Sequence, residues 1–469
     1  MNIIQACKDE RLFRPYFGKE YPTFSTWRWV MRAIYGLPIT SEKGREFIQE
    51  VTGRDPNKLN PNGYSQAVVL TGRRSGKSKS IAAVGAYEAV LAGHERRLSK
   101  GEPGYVGIYS PTKLQSGIVK KYIHGLFQEA PALRNEIVRE TQMGFELRNG
   151  ITIGIFAGDF RTVRGFTLLA AIVDEVCFFG MEAEQQKVKS DTELISAIRP
   201  GLTTTEGRLL TISSVYAKRG WAYNTWKRDF GNDDAEDCLV VSAPSRVMNP
   251  TLSQKHIDNA LRDDYAKARA EYFSEWRDDV GLFIPREVVE ALVMKGVDEL
   301  QPRRDQKYWA FVDVSGGRGD AAALAVAAKV DGELTIHHVG HWKAPFDPER
   351  VVTEMVATLK RYGLSRVVGD NYAGEWVASA FTKRGIKYAK SEKNKSELYL
   401  ELLPKLCSGG IRLLDHEPTI AQLCALERRT RSGGRDTIDH PPGGHDDLAN
   451  VIAGVCQVAI TPRIQVGAF

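Results

Sequence analysis

Residues 68–80 read VVLTGRRSGKSKS. An apolar run, a short Gly-rich loop and Gly76-Lys77-Ser78 opening a helical stretch form a pattern that can cradle a phosphate. Backbone N–H groups and the positive end of the helix face the anion. In such a loop Lys77 reaches the β- and γ-phosphates of ATP, and Ser78 holds Mg²⁺ through its hydroxyl. Thr71, Gly72, Arg73, Arg74 and Ser75 supply the rest of the cradle. The strict pattern asks for a glycine six residues before the lysine; Thr71 stands there, with Gly72 one place later. Further on, LLAAIVDEVCFF carries an apolar run into Asp174 and Glu175. Ligands sit at the C-terminal ends of strands in open α/β sheets. Asp174 is placed to bind the Mg²⁺ water shell, and Glu175 to orient or deprotonate an attacking water. Arg164, upstream of the acid pair, can stabilise charge on a transferring phosphoryl group; Arg73 and Arg74 compete for that role within the loop. Ser213 and Ser214 end the run GRLLTISS and are small hydroxyl residues suited to sensing a γ-phosphate.

A second set of residues is acidic. Asp313 ends an apolar run (FVDVSGG), Asp370 ends another (RVVGD), and Asp446 and Asp447 open a helical pattern (GGHDDLANV). Carboxylates brought together repel unless divalent cations lie between them. Two Mg²⁺ or Mn²⁺ ions there would activate a water and stabilise the leaving oxygen of a phosphodiester. Asp320, in the GGRGD turn, is a further candidate. Basic residues flank these acids: Lys383, Arg384 and Lys387, continuing to Lys390, Lys393 and Lys395, then Arg428, Arg429, Arg431 and Arg435. They suit a sequence-neutral track for DNA phosphates.

The elements that must position these groups read as α/β. Gln66–Leu70, Gly104–Ser110, Ile151–Ala157, Leu168–Asp174 and Gly207–Ser214 are apolar enough to be strands of a parallel sheet buried on both faces. The Ala-rich stretch after Lys77 reads as a helix ending near Gly93. Residues 1–242 therefore form a phosphate-loop domain with a helical lead-in. Residues 243–300 are charged and helical, and read as a linker or lid. Residues 301–469 begin with three meandering strands, then a helix over 350–362, a strand over 366–369, a helix, the short strand IRLLD and a final helix over 447–458. That order resembles the ribonuclease-H fold.

Composition sets outer bounds. The chain has 469 residues, 42% hydrophobic and 26% charged, enough for two or three domains with large cores. Its net charge of +6 is compatible with a polyanionic partner. Six scattered cysteines, none in a C-x-x-C pair, argue against a zinc ribbon or disulfide framework. No apolar run is long enough for a signal peptide or a transmembrane helix, so no membrane association is expected.

Taken in order, these motifs resemble the large terminase subunits of tailed bacteriophages, from about Thr23 to Val458. In that family a phosphate-loop ATPase precedes a ribonuclease-H-like nuclease, and the phosphate loop is often an arginine-rich variant without the first glycine, as TGRRSGKS is. TFSTWRWVMRAIYGLPIT is similar to the family's helical lead-in. The resemblance implies that Arg164 matches an arginine that reaches a neighbouring subunit's ATP and that Ser213 and Ser214 lie in the coupling motif. It implies that Asp313, Asp370 and Asp447 are the nuclease acids, with Asp446 open as an alternative to Asp447. Gln66 and 60–64 are candidates for adenine contact. Expected partners are double-stranded DNA, the portal protein of the procapsid, a small terminase subunit and further copies in a ring. The expected location is the host cytoplasm, docked transiently on the portal. Two other readings fit the sequence: a helicase-like DNA translocase with an inactive nuclease domain, and a nucleotide-switched DNA-binding scaffold.

Overall fold

The computed structural model describes residues 1–157, 165–180, 190–318, 320–370, 375–430, 436–441 and 444–460. They divide into two compact units that meet in the chain between Asp278 and Asp279.

The first unit is built on an eight-stranded sheet. Its strands are β1 (Gln66–Thr71), β2 (Gly104–Ser110), β3 (Ile137–Thr141), β4 (Gly144–Leu147), β5 (Ile151–Ala157), β6 (Thr167–Asp174), β7 (Arg208–Ser213) and β8 (Cys238–Ala243). The spatial order is β3-β4-β5-β2-β6-β7-β1-β8. From β5 to β8 all neighbours are parallel, and β3 and β4 add an antiparallel hairpin at one edge. The apolar runs become the parallel strands because helices cover both faces and leave no side of these strands to water. The helix Lys77–Val90 is apolar nearly all round, and it is buried nearly all round. It packs with the sheet and with the lead-in helices in a single core that includes Phe24, Trp27, Val30 and Ile34.

The second unit holds β9 (Val280–Leu282), β10 (Val293–Met294), β11 (Tyr308–Asp313), β12 (Ala322–Val330), β13 (Glu333–Trp342), β14 (Arg366–Gly369), β15 (Lys387–Lys390), β16 (Ile411–Leu414), β17 (Glu427–Thr430) and β18 (Asp436–Asp439). The main sheet runs β10-β16-β13-β12-β11-β14-β15. β11, β12 and β13 form an antiparallel meander, and β14 and β15 extend it in parallel from β11. This is the ribonuclease-H-like arrangement, following a phosphate-loop NTPase fold. A separate antiparallel sheet is ordered β18-β17-β9.

Strand alternation divides the second core in two. Ala322, Leu324, Val326 and Ala328 face one side, and Ala323, Ala325 and Ala327 face the other with Phe311. The closing helix Asp447–Ile460 lies on the second side. Small alanines let it come close, and Gly454 lets it come closer. A Cβ added at Gly454 would stand 2.3 to 2.5 Å from three ring atoms of Phe311.

Residues 243–300 are shared between the units and contain strands. Residues up to Asp278 cluster with the first unit, and β9 and β10 belong to the second. Both strands are too short to show an apolar period, which is why the stretch reads as helical. β3, β4, β8, β15, β17 and β18 likewise have no counterpart among the expected strands.

Gly454→Ala should therefore destabilise the protein by about 1–3 kcal/mol, the usual range for overpacking a filled core. Phe311→Leu in the same chain should recover part of that loss. Urea unfolding of the two variants checks this; an unchanged midpoint for Gly454→Ala would contradict the close packing.

Candidate active sites

In the first unit, register aligns three strand ends. Leu70 of β1 pairs with Ser213 of β7, and Ile212 of β7 pairs with Asp174 of β6. The phosphate loop, the acid pair and the serine pair therefore emerge side by side, at the end of a parallel sheet where ligands bind. Lys77 Nζ donates to the carbonyls of Thr71 (3.0 Å) and Gly72 (3.2 Å) and to Ser214 Oγ (3.3 Å). It lies 4.0 Å from Glu175 Oε1. Glu175 Oε2 accepts from Ser213 Oγ (3.2 Å) and from the Ser214 amide (3.1 Å). Glu175 sits at φ 51°, a left-handed conformation that a side chain other than glycine's seldom takes without cause. Asp174 is 4% exposed. Burial, reinforced by the neighbouring Glu175 and opposed by Lys77, pushes its carboxyl up to about 7.

The loop is fastened from outside the sequence motif. Trp27 Nε1 donates to the Ser75 carbonyl at 2.7 Å. From the other flank, Ser245 Oγ donates to the Arg73 carbonyl (2.7 Å), Asn249 Nδ2 to the Arg74 carbonyl (2.9 Å), and the Arg73 amide to the Glu271 carbonyl (2.6 Å). Gly72 has to be glycine: a Cβ there would meet Ser245 Oγ at 2.2 Å and two backbone atoms at 2.9 Å. Thr71 Oγ1 and Ser75 Oγ are 2.9 Å apart and hold the two ends of the loop together. Gly76 turns the chain at φ 93° into a helix of 14 residues whose N-terminus has no side-chain cap. Those first N–H groups suit a phosphate, and the buried ammonium beside them adds charge, so the residues fit the phosphate groups of a nucleotide. Ser78, second in that helix, and Asp174 would hold its Mg²⁺.

Other expectations for this unit fare differently. Arg164 lies outside the described residues. The Arg73 guanidinium is 3.4 Å from Glu271 Oε1, so it is drawn toward the 243–278 segment. Arg74, exposed at φ 64°, makes no ion pair among the described residues. Gln66 begins β1, at the opposite end of the strand from the loop, and bonds Cys238 and Arg199 there. Asn60 and Tyr64 bond each other. Gln66 therefore stands at the end of β1 away from the phosphate loop.

In the second unit, Asp313 ends β11, Asp370 follows β14, and Asp447 opens the closing helix. Parallel pairing of β11 with β14 brings the first two carboxylates to one sheet end. The closing helix adds the third, because Asp447, Asn450 and Gly454 lie near one helix face. Asn450 joins the set: its Nδ2 donates to Asp313 Oδ2 (2.6 Å) and to Asp370 Oδ2 (3.0 Å). Burial, opposed by the Asn450 bond and reinforced by Asp370 and Asp447, pushes Asp313 up to about 7. Burial and then Asp446 push Asp447 up to about 6, against Lys395 and with a further contribution from Asp320.

Asp446 is placed differently from Asp447. Its Oδ1 accepts from Lys395 Nζ and its Oδ2 from Tyr399 OH, each at 2.8 Å. Among the described residues no three acidic, histidine or cysteine groups are already gathered tightly enough to hold one ion. The donor set still fits Mg²⁺ or Mn²⁺. Asp447 Oδ2 and Asn450 Oδ1 are buried without a hydrogen-bond partner among the described residues, and hard oxygen ligands suit these metals. Asn450, Tyr399 and the role of Lys395 are absent from the sequence reading. The one available signal was spacing: Asn450 follows Asp447 by one helical turn, as Tyr399 follows Lys395.

Several of the basic residues expected along a DNA track are engaged with neighbouring side chains. Arg384 bonds Glu349, Thr353 and a carbonyl, Arg428 pairs with Asp436, and Arg429 bonds Glu427 and His440. Arg431 lies outside the described residues. Lys387 pairs in register with Arg366, at the end of β14 away from Asp370, and Lys383 ends the helix leading to it. Lys390 pairs with Gly369 and so stands at the acid end.

The raised carboxyls predict how stability responds to pH. Asp313 and Asp447 bind protons more tightly in the folded chain than in the unfolded one, where the value is about 3.9. Their stabilising protons are fully present below about 4 and are lost as pH rises through about 6 and about 7. The melting temperature of metal-free protein should fall across that window. The gain from Mg²⁺ should be larger near pH 7.5 than near pH 5.5, because at lower pH the metal must displace protons. Asp447→Asn should reduce the pH dependence more than Asp446→Asn does. Melting curves at both pH values decide it, and equal slopes for all three proteins would sink the assignment.

No family model matches the sequence, and no curated relative does. Among solved structures the chain is similar to the large terminase of bacteriophage HK97, at 17% identity and a TM-score of 0.38, over 93% of this chain and 100% of that one. It is similar to the large terminase of a thermophilic bacteriophage in complex with ADP, at 10% identity and a TM-score of 0.39, over 92% and 100% of the two chains. It is also similar to the large terminase nuclease of the thermophilic phage G20c with bound magnesium, at 19% identity and a TM-score of 0.33, over 36% and 94%.

Proposed function

We propose that this chain is a DNA-packaging motor of a tailed bacteriophage: an ATPase that drives double-stranded DNA into a procapsid, joined to a metal-dependent endonuclease that cuts concatemeric DNA. The observation that carries the reading is the pairing of two sites on one chain. One is a phosphate loop whose lysine lies beside a water-orienting glutamate; the other is a set of strand-end and helix-start aspartates bridged by Asn450. A scaffold that only binds nucleotide needs no Glu175 poised beside Lys77. A translocase with an inactive nuclease needs no unpartnered buried carboxylate oxygen at Asp447.

In the ATPase, Lys77 neutralises the phosphates and Glu175 orients or deprotonates the attacking water. Ser213 and Ser214 bond that glutamate, and Ser214 bonds the lysine, so a change at either reaches β7. Bound Mg²⁺ would neutralise phosphate charge. Arg164 from a neighbouring copy, or Arg74 within the loop, is the candidate for stabilising the transferring group. In the nuclease, Asp313, Asp370 and Asp447 would hold Mg²⁺ or Mn²⁺, which would supply an activated water and neutralise the leaving oxygen. Portal protein, a small terminase subunit and further copies in a ring are the proposed partners, with host cytoplasm and portal as the place of action. No helix among the described residues is long and apolar enough to cross a membrane.

Lys77→Ala should abolish ATP hydrolysis and leave cutting of plasmid DNA with Mn²⁺ largely intact. Glu175→Gln should still bind ATP but hydrolyse it roughly 10²-fold more slowly or worse, as loss of a general base does. Asp313→Ala or Asp370→Ala should do the reverse of Lys77→Ala. ATPase and nicking assays on the four proteins test the whole reading. Normal ATPase in Lys77→Ala, or normal cutting in either aspartate variant, would remove the corresponding half.

A further inference from the structure

Asp446 immediately precedes the closing helix, and Asp447 is its first residue. In the folded chain their environments are opposite. Both oxygens of Asp446 are taken, Oδ1 by Lys395 Nζ and Oδ2 by Tyr399 OH, at 2.8 Å each. Lys395 and Tyr399 stand four apart on the helix Lys395–Cys407, so they share a face and act as a two-donor clamp. Tyr399 is fully buried and Asp446 is 3% exposed, while the Lys395 side chain, 31% exposed, reaches Asp446 from the solvent side. Asp447 is 9% exposed, and its Oδ2 has no partner among the described residues.

We propose that Lys395 is a positioning residue that decides which of the two adjacent aspartates enters the metal site: by clamping Asp446 it leaves Asp447 as the ligand. A buried carboxylate with two donors, one of them charged, gains little from exchanging them for a metal ion. A buried carboxylate oxygen with none gains a great deal. With the clamp removed, Asp446 is released one residue from the site and competes with Asp447. This inference rests on the metal-site reading of the second unit.

The test is a double-mutant cycle read by metal binding, independent of cutting. Metal-depleted full-length protein, without nucleotide, is titrated calorimetrically with Mn²⁺; Asp313→Ala gives the background from sites elsewhere. In the otherwise unaltered chain, Asp447→Asn should weaken Mn²⁺ binding about tenfold or more. With Lys395→Met already present, the same change should cost only a few-fold, because Asp446 takes over. Tyr399→Phe removes one hydroxyl and should shift the cycle in the same direction by less. It serves in place of Lys395→Met should that variant fail to fold by circular dichroism. Equal losses from Asp447→Asn in both backgrounds overturn the proposal, as does a Lys395→Met protein that binds Mn²⁺ more weakly than the unaltered chain. Absence of Mn²⁺ binding above the Asp313→Ala background in the unaltered chain would be a failure of the metal site itself. Cutting gives a second reading: Lys395→Met should cut about tenfold more slowly or worse, and Asp446→Asn in the same chain should recover most of that loss. If Lys395 acted instead by touching DNA, the double variant would remain as slow as Lys395→Met.

Discussion

A carboxylate withdrawn from water must be given a donor, a cation or a proton, and both candidate sites are arranged around that requirement. Asp174 is answered by the charge of Lys77, and only in part. Asp313 and Asp370 share the amide of Asn450. Asp446 has a lysine and a tyrosine to itself. Asp447 has an oxygen with no hydrogen-bond partner among the described residues. The places where the requirement is met hold the fold together, and the place where it is not met is where a ligand has most to contribute.

The two units reach this state by the same geometric route. Parallel strands end together, so residues far apart in sequence are delivered to one edge without any long-range design. β1, β6 and β7 deliver Lys77, Asp174, Glu175 and the serine pair. β11 and β14 deliver Asp313 and Asp370. The second unit then needs a helix to complete the set. That helix arrives close because alanines line the sheet and Gly454 meets Phe311.

What was legible in the sequence follows from the same physics. Buried parallel strands are continuous apolar runs, so β1, β2, β5, β6 and β7 are recognisable to within a residue or two. Asp313 and Asp370 are legible because a charged residue ending such a run is conspicuous. Short edge strands such as β9, β10 and β15 carry too few residues to show a period. Lys395 looked like one more charge in a basic run, since nothing local distinguishes a lysine that turns inward to an aspartate from one that faces solvent. Glu271 and Asn249 were beyond reach for a related reason: they meet the phosphate loop only through tertiary packing.

The fastening of that loop has a consequence for how the chain is made. Its residues leave the ribosome directly after the lead-in helices and β1, and before β2. Trp27 is already available to hold Ser75, but Ser245, Asn249 and Glu271 are synthesised long afterwards. β7 and β8, which flank β1, are also late. The loop's final shape therefore waits on translation through Glu271, and a nascent chain stalled before that point carries the phosphate-binding sequence without the surroundings that fix its form.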